Sequence, residues 1–122
     1  MALGFKQLQV WKTSRALARD VYTLLEKFPK HETYALCDQL RRASVSVCSN
    51  IAEGAGRVSS KEKIHFNEVA FGSLMEVACQ MILANDFCYI SDSELELIER
   101  EVEDISKMIS GYNKFLKSQI HE

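Results

Sequence analysis

Proline is nearly missing from this chain: Pro29 is the sole one among 122 residues, and glycine contributes only five. Both residue types punctuate regular structure, so their scarcity excludes a turn-rich all-β chain and favours long uninterrupted elements. Long apolar runs are missing too. The richest stretch, Val77 to Ala84, is broken by Gln80 and preceded by Glu76, well short of the ~18 apolar residues a membrane-spanning helix needs. No C-x-x-C pair occurs among Cys37, Cys48, Cys79 and Cys88, which removes the common zinc and dithiol signatures. The opening residues lack the charged-then-apolar layout of an export signal. A cytoplasmic chain with reduced thiols is therefore expected, each cysteine packed inside an apolar helical pattern.

What is present is ordinary for a globular protein: 47% hydrophobic and 26% charged residues. This length suits one domain over 1–122. The net charge of −2 argues against a generic nucleic-acid binder, but the charges are segregated. Residues 1–63 carry 11 Lys/Arg against 6 Asp/Glu, whereas residues 64–122 carry 4 against 11. Two readings stand: helices of opposite charge neutralise one another side by side, or one surface is basic and meets an anionic partner.

Four helices follow from periodicity, over about 8–28, 31–53, 60–88 and 92–119. The first has Leu8, Trp11, Leu17, Val21, Leu24, Leu25 and Phe28 on one stripe and ends before Pro29. The second runs through Leu36, Leu40, Ser44, Val47 and Ile51, and Gly54 suits a left-handed stop. Val45 and Val47 alternate with serines in a strand-like way, but the longer helical period outweighs them. Ser59 and Glu62, then Ser91 and Glu94, have capping-box spacing and open the third and fourth helices. In the fourth, the acidic cluster Glu94 to Asp104 precedes Lys107, Lys114 and Lys117, an order that complements the helix dipole. The expected fold is all-α: an antiparallel up-down-up-down four-helix bundle.

The two inner helices carry too little charge for a lone bundle. Ala43 through Ala52 contains no charged residue, and between Asn67 and Cys88 the only charges are Glu68, Glu76 and Asp86. A helix apolar nearly all round is buried on more than one side, so a second copy is expected to cover these two. Beside its core stripe the second helix has a flank of Gln39, Ala43, Ser46, Asn50 and Glu53. Glu76 needs a partner if it is buried, and Arg42 or Asn50 is the expected one. Gln39, Arg42, Asn50, Glu53 and Glu76 thus form a candidate polar network at the subunit contact.

The run Gln39-Leu-Arg-Arg-Ala-Ser-Val-Ser-Val-Cys-Ser-Asn-Ile-Ala-Glu-Gly54 resembles the signature of proteins encoded in intervening sequences of bacterial 23S ribosomal RNA genes. Leu8-Gln-Val-Trp11, Phe28-Pro29 and Gly72-Ser-Leu-Met-Glu76 extend the resemblance over nearly the whole chain. It implies a left-handed antiparallel bundle, assembly into a homopentameric ring, and no catalytic activity. A related bundle, the accessory variability protein of diversity-generating retroelements, associates with a reverse transcriptase and binds nucleic acid through a basic surface. This chain departs from that relative in its acidic balance.

Catalytic chemistry finds no support in the residues. Glu62-Lys-Ile-His65 is half of a di-iron motif without its second half, and His31 and His121 sit at a turn and at the far end. Neither a phosphate-cradling glycine loop nor a nucleophile elbow is present. No catalytic residue, metal or cofactor is expected. The candidate nucleic-acid residues are Arg41, Arg42, Arg57, Lys61 and Lys63, expected to cluster near the second connection, with Lys12, Arg15 and Arg19 on the first helix. No aromatic residue is interleaved with the cluster near the connection, so base stacking is not expected. Two functions remain: an oligomeric accessory protein that binds RNA or DNA, or an oligomeric module that docks another protein through the acidic fourth helix.

Overall fold

Four stretches of helical period become four helices in the computed structural model, which describes residues 3–120; His121 lies outside them. After a 3-10 turn over Gly4–Gln7 come α1 (Gln9–Leu25), a second 3-10 turn at Lys30–Glu32, α2 (Leu36–Ala55), α3 (Ser60–Asp86) and α4 (Asp92–Ser118). No strand occurs among the described residues, and Val45 and Val47 both lie on α2.

Helix ends follow local chemistry, with two departures from expectation. The first helix stops at Leu25 rather than Phe28, because Pro29 disfavours helical geometry at the residue before it. The second starts at Leu36, not His31. Lys30–Glu32 folds as a 3-10 turn, and the Glu32 carboxylate accepts from the Leu36 N–H at 3.4 Å. Ser91 and Glu94 form the full reciprocal capping box at the start of α4, while Ser59 accepts from the Glu62 N–H at the start of α3. Glu94 also takes Lys27 from the end of α1 at 2.7 Å, and this contact with the cap holds its carboxyl below the usual range.

The pairs that meet across seams fix the topology. Gln39 meets Gln80 and Ser46 meets Ser73, so α2 and α3 run antiparallel. Asn67 meets Asn113 and Asn85 meets Asp92, so α3 and α4 do too. Lys27 meets Glu94 and Asp20 faces Glu101, which sets α1 against α4 in the same way. The order around the bundle is α1, α2, α3, α4, with no close approach across either diagonal. Between them lies a core in which Leu17, Val21, Leu40, Val47, Ile51, Leu74, Val77, Met81, Ile98 and Ile105 are fully buried. Each such side chain contributes roughly 1.5–3 kcal/mol on burial.

Gly54 does not stop α2. It lies inside the helix, buried, without a left-handed backbone. A Cβ there would sit 2.9 Å from Phe66 Cβ and 3.3 Å from the Lys63 carbonyl oxygen, so the missing side chain lets α3 approach α2. The left-handed stop falls instead on Cys88, with φ 65°. The Cys88 N–H donates to the Asn85 carbonyl and the Tyr89 N–H to the Ala84 carbonyl, each at 2.8–2.9 Å. This is the Schellman arrangement with cysteine where glycine is usual. Cys88 is accordingly exposed, as is Cys79, against the expectation that all four thiols pack inside; Cys37 alone is fully buried and Cys48 partly so.

Two substitutions separate these roles. Gly54→Val should destabilise by about 1–3 kcal/mol through overpacking against Phe66 and Lys63. Cys88→Gly should stabilise by about 1 kcal/mol, since glycine carries no left-handed penalty. Urea unfolding of both variants beside the parent chain checks both signs.

Candidate nucleic-acid interface

On α1, Trp11, Arg15, Ala18, Arg19 and Tyr22 recur at helical spacing and face outward beside α2. Val45 and Cys48 of α2 complete a groove of about 630 Å³. A neighbouring depression of about 620 Å³ shares Tyr22 and Val45 and adds Asp38, Arg41, Arg42, Ser46 and Ser49. The two make one track along the α1/α2 seam, apolar at its floor and basic along its sides. The Arg15 guanidinium lies over the Trp11 ring at 5.6 Å, and Phe5 meets the same ring edge-on at 4.9 Å. Tyr22 and Val45 are nearly half exposed. Burial pushes the Cys48 thiol up, opposed in smaller part by a backbone hydrogen bond and by Arg15, so it is an inert wall rather than a nucleophile.

The eight expected basic residues therefore do not form one cluster. Arg15, Arg19, Arg41 and Arg42 line the track; Lys12 is exposed on α1 outside its lining. Arg57, Lys61 and Lys63 belong to the other end of α2. Because α2 is continuous, Arg42 and Arg57 stand about 22 Å apart along its axis. In that second group, Arg57 bonds Glu53 at 3.0 Å and covers the Phe66 ring, and Lys63 donates to the Ala55 carbonyl at 2.9 Å. On the track, Arg41 donates to the Thr33 carbonyl at 2.9 Å, and Arg42 sits 3.6 Å from Asp38 while remaining highly exposed. Away from the connection, Trp11 and Tyr22 flank Arg15 and Arg19 along α1. The spacing of four and three along α1 carried that signal.

The polar residues of the inner helices sort differently from expectation. Gln80 donates to Gln39 at 2.8 Å and to Glu76 at 3.3 Å. Asn50 donates to the Ser46 carbonyl and hydroxyl, and Ser73 donates to Ser46 at 2.8 Å. Glu76 reaches neither Arg42 nor Asn50, because it stands on the exposed side of α3, where water solvates it. Arg42 and Glu53 bond within their own helix turn, to Asp38 and Arg57. Gln39 and Ser46 bond across to α3 and Ala43 is buried beside them, so this part of the second flank of α2 packs within the chain, while Glu53 stays exposed.

α3 is another matter. Val69, Phe71, Met75, Ile82, Leu83 and Phe87 are each 38–53% exposed, and Gly72 and Cys79 fill the gaps between them. From Val69 onward the outside of this helix is largely apolar, interrupted by exposed Glu76 and Asp86. Glu62 and His65 are both exposed, and no three His, Cys, Asp or Glu side chains among the described residues converge as a metal site. No helix is long and apolar enough to cross a membrane.

The most perturbed group lies on the opposite seam. Glu101 of α4 faces Asp20 of α1, and one of its oxygens is buried without a hydrogen-bond partner. Burial first, then the shared hydrogen bond with Asp20 and the charges of Asp20 and Asp104, push its carboxyl from 4.5 up to about 8. A proton held between the two carboxyls supplies the missing donor.

The model of the 23S rRNA-intervening sequence protein family matches residues 6–111. Among solved structures, a protein of unknown function from the S23 ribosomal protein family of Bacteroides thetaiotaomicron is similar in fold, with a TM-score of 0.79. That likeness covers 86% of this chain and 98% of the other at 21% identity. No curated protein matches. Neither description carries a catalytic activity.

Glu101 generates a prediction of unusual sign. Its folded pKa lies above the ordinary value, so the folded chain holds an extra proton between about pH 4.5 and about 8. Stability should fall as pH rises through that window and level off above it. Glu101→Gln keeps a neutral donor at all pH values, so its melting temperature should be higher than the parent's at pH 8 and flatter between pH 5 and 8. Parallel thermal melts in matched buffers measure it.

Proposed function

From the premise that the chain belongs to the 23S rRNA-intervening sequence protein family, we propose that it acts in the cytoplasm as a non-catalytic homo-oligomer that attaches to RNA or DNA. A pentamer is the assembly the family resemblance implies. One observation carries the reading: the exposed apolar residues of α3 and the α1 side of the basic track are on opposite sides of the bundle. α1 and α3 sit across a diagonal, so copies joined through α3 leave the α1 side of every track open to solvent.

Energetics favour that division. Val69, Phe71, Met75, Ile82 and Leu83 lose contact with water when another copy covers them, a gain of about 25 cal/mol for each Å² of apolar surface removed. The arginines gain little from one another in a single chain. Set around a ring, several weak tracks engage one polyanion together, and avidity raises affinity without new contacts. A second reading, docking of another protein, draws on α4, where exposed Leu97 lies among Glu96, Glu99 and Arg100.

Fluorescence polarisation with a structured RNA tests the proposal. Binding should weaken roughly ten-fold or more between about 50 and about 200 mM salt, as counterion release requires. A chain carrying Arg15→Ala, Arg19→Ala and Arg42→Ala together should lose it. Met75→Asp with Ile82→Asp should yield smaller particles that bind more weakly, because avidity is lost. Flat titrations at low salt with an intact oligomer would overturn the nucleic-acid reading and favour the protein-docking one.

A further inference from the structure

The α1/α2 track is more than a basic patch, and its floor is what a phosphate backbone does not need. Ala18, Val45 and Cys48 form an apolar base, and Tyr22 stands beside it nearly half exposed. A duplex keeps its bases closed and offers only phosphates and grooves, so such a floor would face water or sugar with no gain. Unpaired bases present π-faces that stack on aromatic rings and on guanidinium planes. Resting on the nucleic-acid reading above, we propose that this track is a single-strand site: Tyr22 and the Arg15–Trp11 stack hold unpaired bases, while Arg19 and Arg42 take the phosphates between them.

The dimensions agree. Trp11 and Tyr22 are eleven residues apart on one helix, about 16 Å along its axis, which accommodates a few nucleotides between the two platforms. Arg15 and Arg19 follow one another by a helical turn on the same side, giving the track repeating positive charge. Arg42 stands at the far end with most of its side chain in solvent. Asp38, 3.6 Å from Arg42, is the one carboxylate on the lining. A phosphate there competes with Asp38 for the guanidinium, so that contact adds to the salt sensitivity of binding.

The chain contains a single tryptophan, which makes Trp11 a reporter placed in the site. Labelled oligouridylate of about 15 nucleotides, and a duplex of the same length, are titrated into the full chain at low salt. The single strand should bind about ten-fold more tightly and quench Trp11 emission saturably; the duplex should leave that emission unchanged. Tyr22→Leu should lower single-strand affinity at least about five-fold, the least that loss of one stacked base predicts, with duplex affinity unaltered. Tyr22→Phe, which keeps the ring, should restore it, and circular dichroism confirms that both variants are folded. Equal binding of both forms, insensitive to Tyr22→Leu yet lost in the Arg15→Ala/Arg19→Ala chain, would overturn the single-strand assignment while leaving nucleic-acid binding intact. No binding of either form would overturn both. Trp11 emission that responds to protein concentration but not to oligonucleotide would mean that a second copy fills the track, which also overturns it.

Discussion

The seam between α2 and α3 is the longest close approach in the bundle, and the other surfaces follow from it. Small and polar residues make it possible. Gln39, Ser46 and Gly54 of α2 lie against Gln80, Ser73 and Phe66 of α3 in turn, and at Gly54 even a methyl group would collide. Interhelical hydrogen bonds join Gln80 Nε2 to Gln39 and Ser73 to Ser46 across this seam, while Gln80 Oε1 is buried without a hydrogen-bond partner. The inward side of α3 mixes Ala70, Asn67, Gln80 and Ala84 with Leu74, Val77 and Met81. Further large apolar residues, Phe71, Met75, Ile82 and Leu83, are left on the outside.

In the usual layout of a bundle helix solvent-facing positions are charged; α3 follows it at Lys61, Glu62, Glu68, Glu76 and Asp86 but exposes large apolar residues among them. The other three helices keep to it: α1 turns Lys12, Arg15 and Arg19 outward, α4 turns out Glu96, Glu99 and Glu103, and α2 presents Arg42 and Glu53. The segregated charge noted along the chain thus becomes geometry. Its basic half supplies the α1/α2 track, and its acidic half covers the far side of the bundle. Within a chain the two neutralise one another only at points such as Lys27 with Glu94, so the basic residues around Trp11 and Tyr22 keep their field. Between α1 and α4 the chemistry is different again: Asp20 and Glu101 face each other as like charges, which one shared proton reconciles.

Local rules were enough for the helices. The cap at Ser59, the capping box at Ser91, the break at Pro29 and the stripe from Leu95 to Leu116 are all written within a few residues of where they act. What failed needed a second helix. Gly54 looked like a stop because its spacing in α2 is that of a cap; only the position of Phe66 shows that it is a clearance. Cys88 looked like core because apolar neighbours surround it in sequence, whereas the turn into α4 places it in left-handed backbone facing water. Trp11 belongs to a hydrophobic stripe in sequence, and only the register of α1 on α2 sets it and Tyr22 among four arginines. Glu76 is exposed and needs no distant partner.

The claim beneath all of this is that the outer stripe of α3 is covered by other copies of the chain. Light scattering of the purified protein at micromolar concentration tests it most directly. A mass several times the 13.9 kDa of one chain is the expected result. A stable particle of 13.9 kDa, unchanged on concentration, would contradict it.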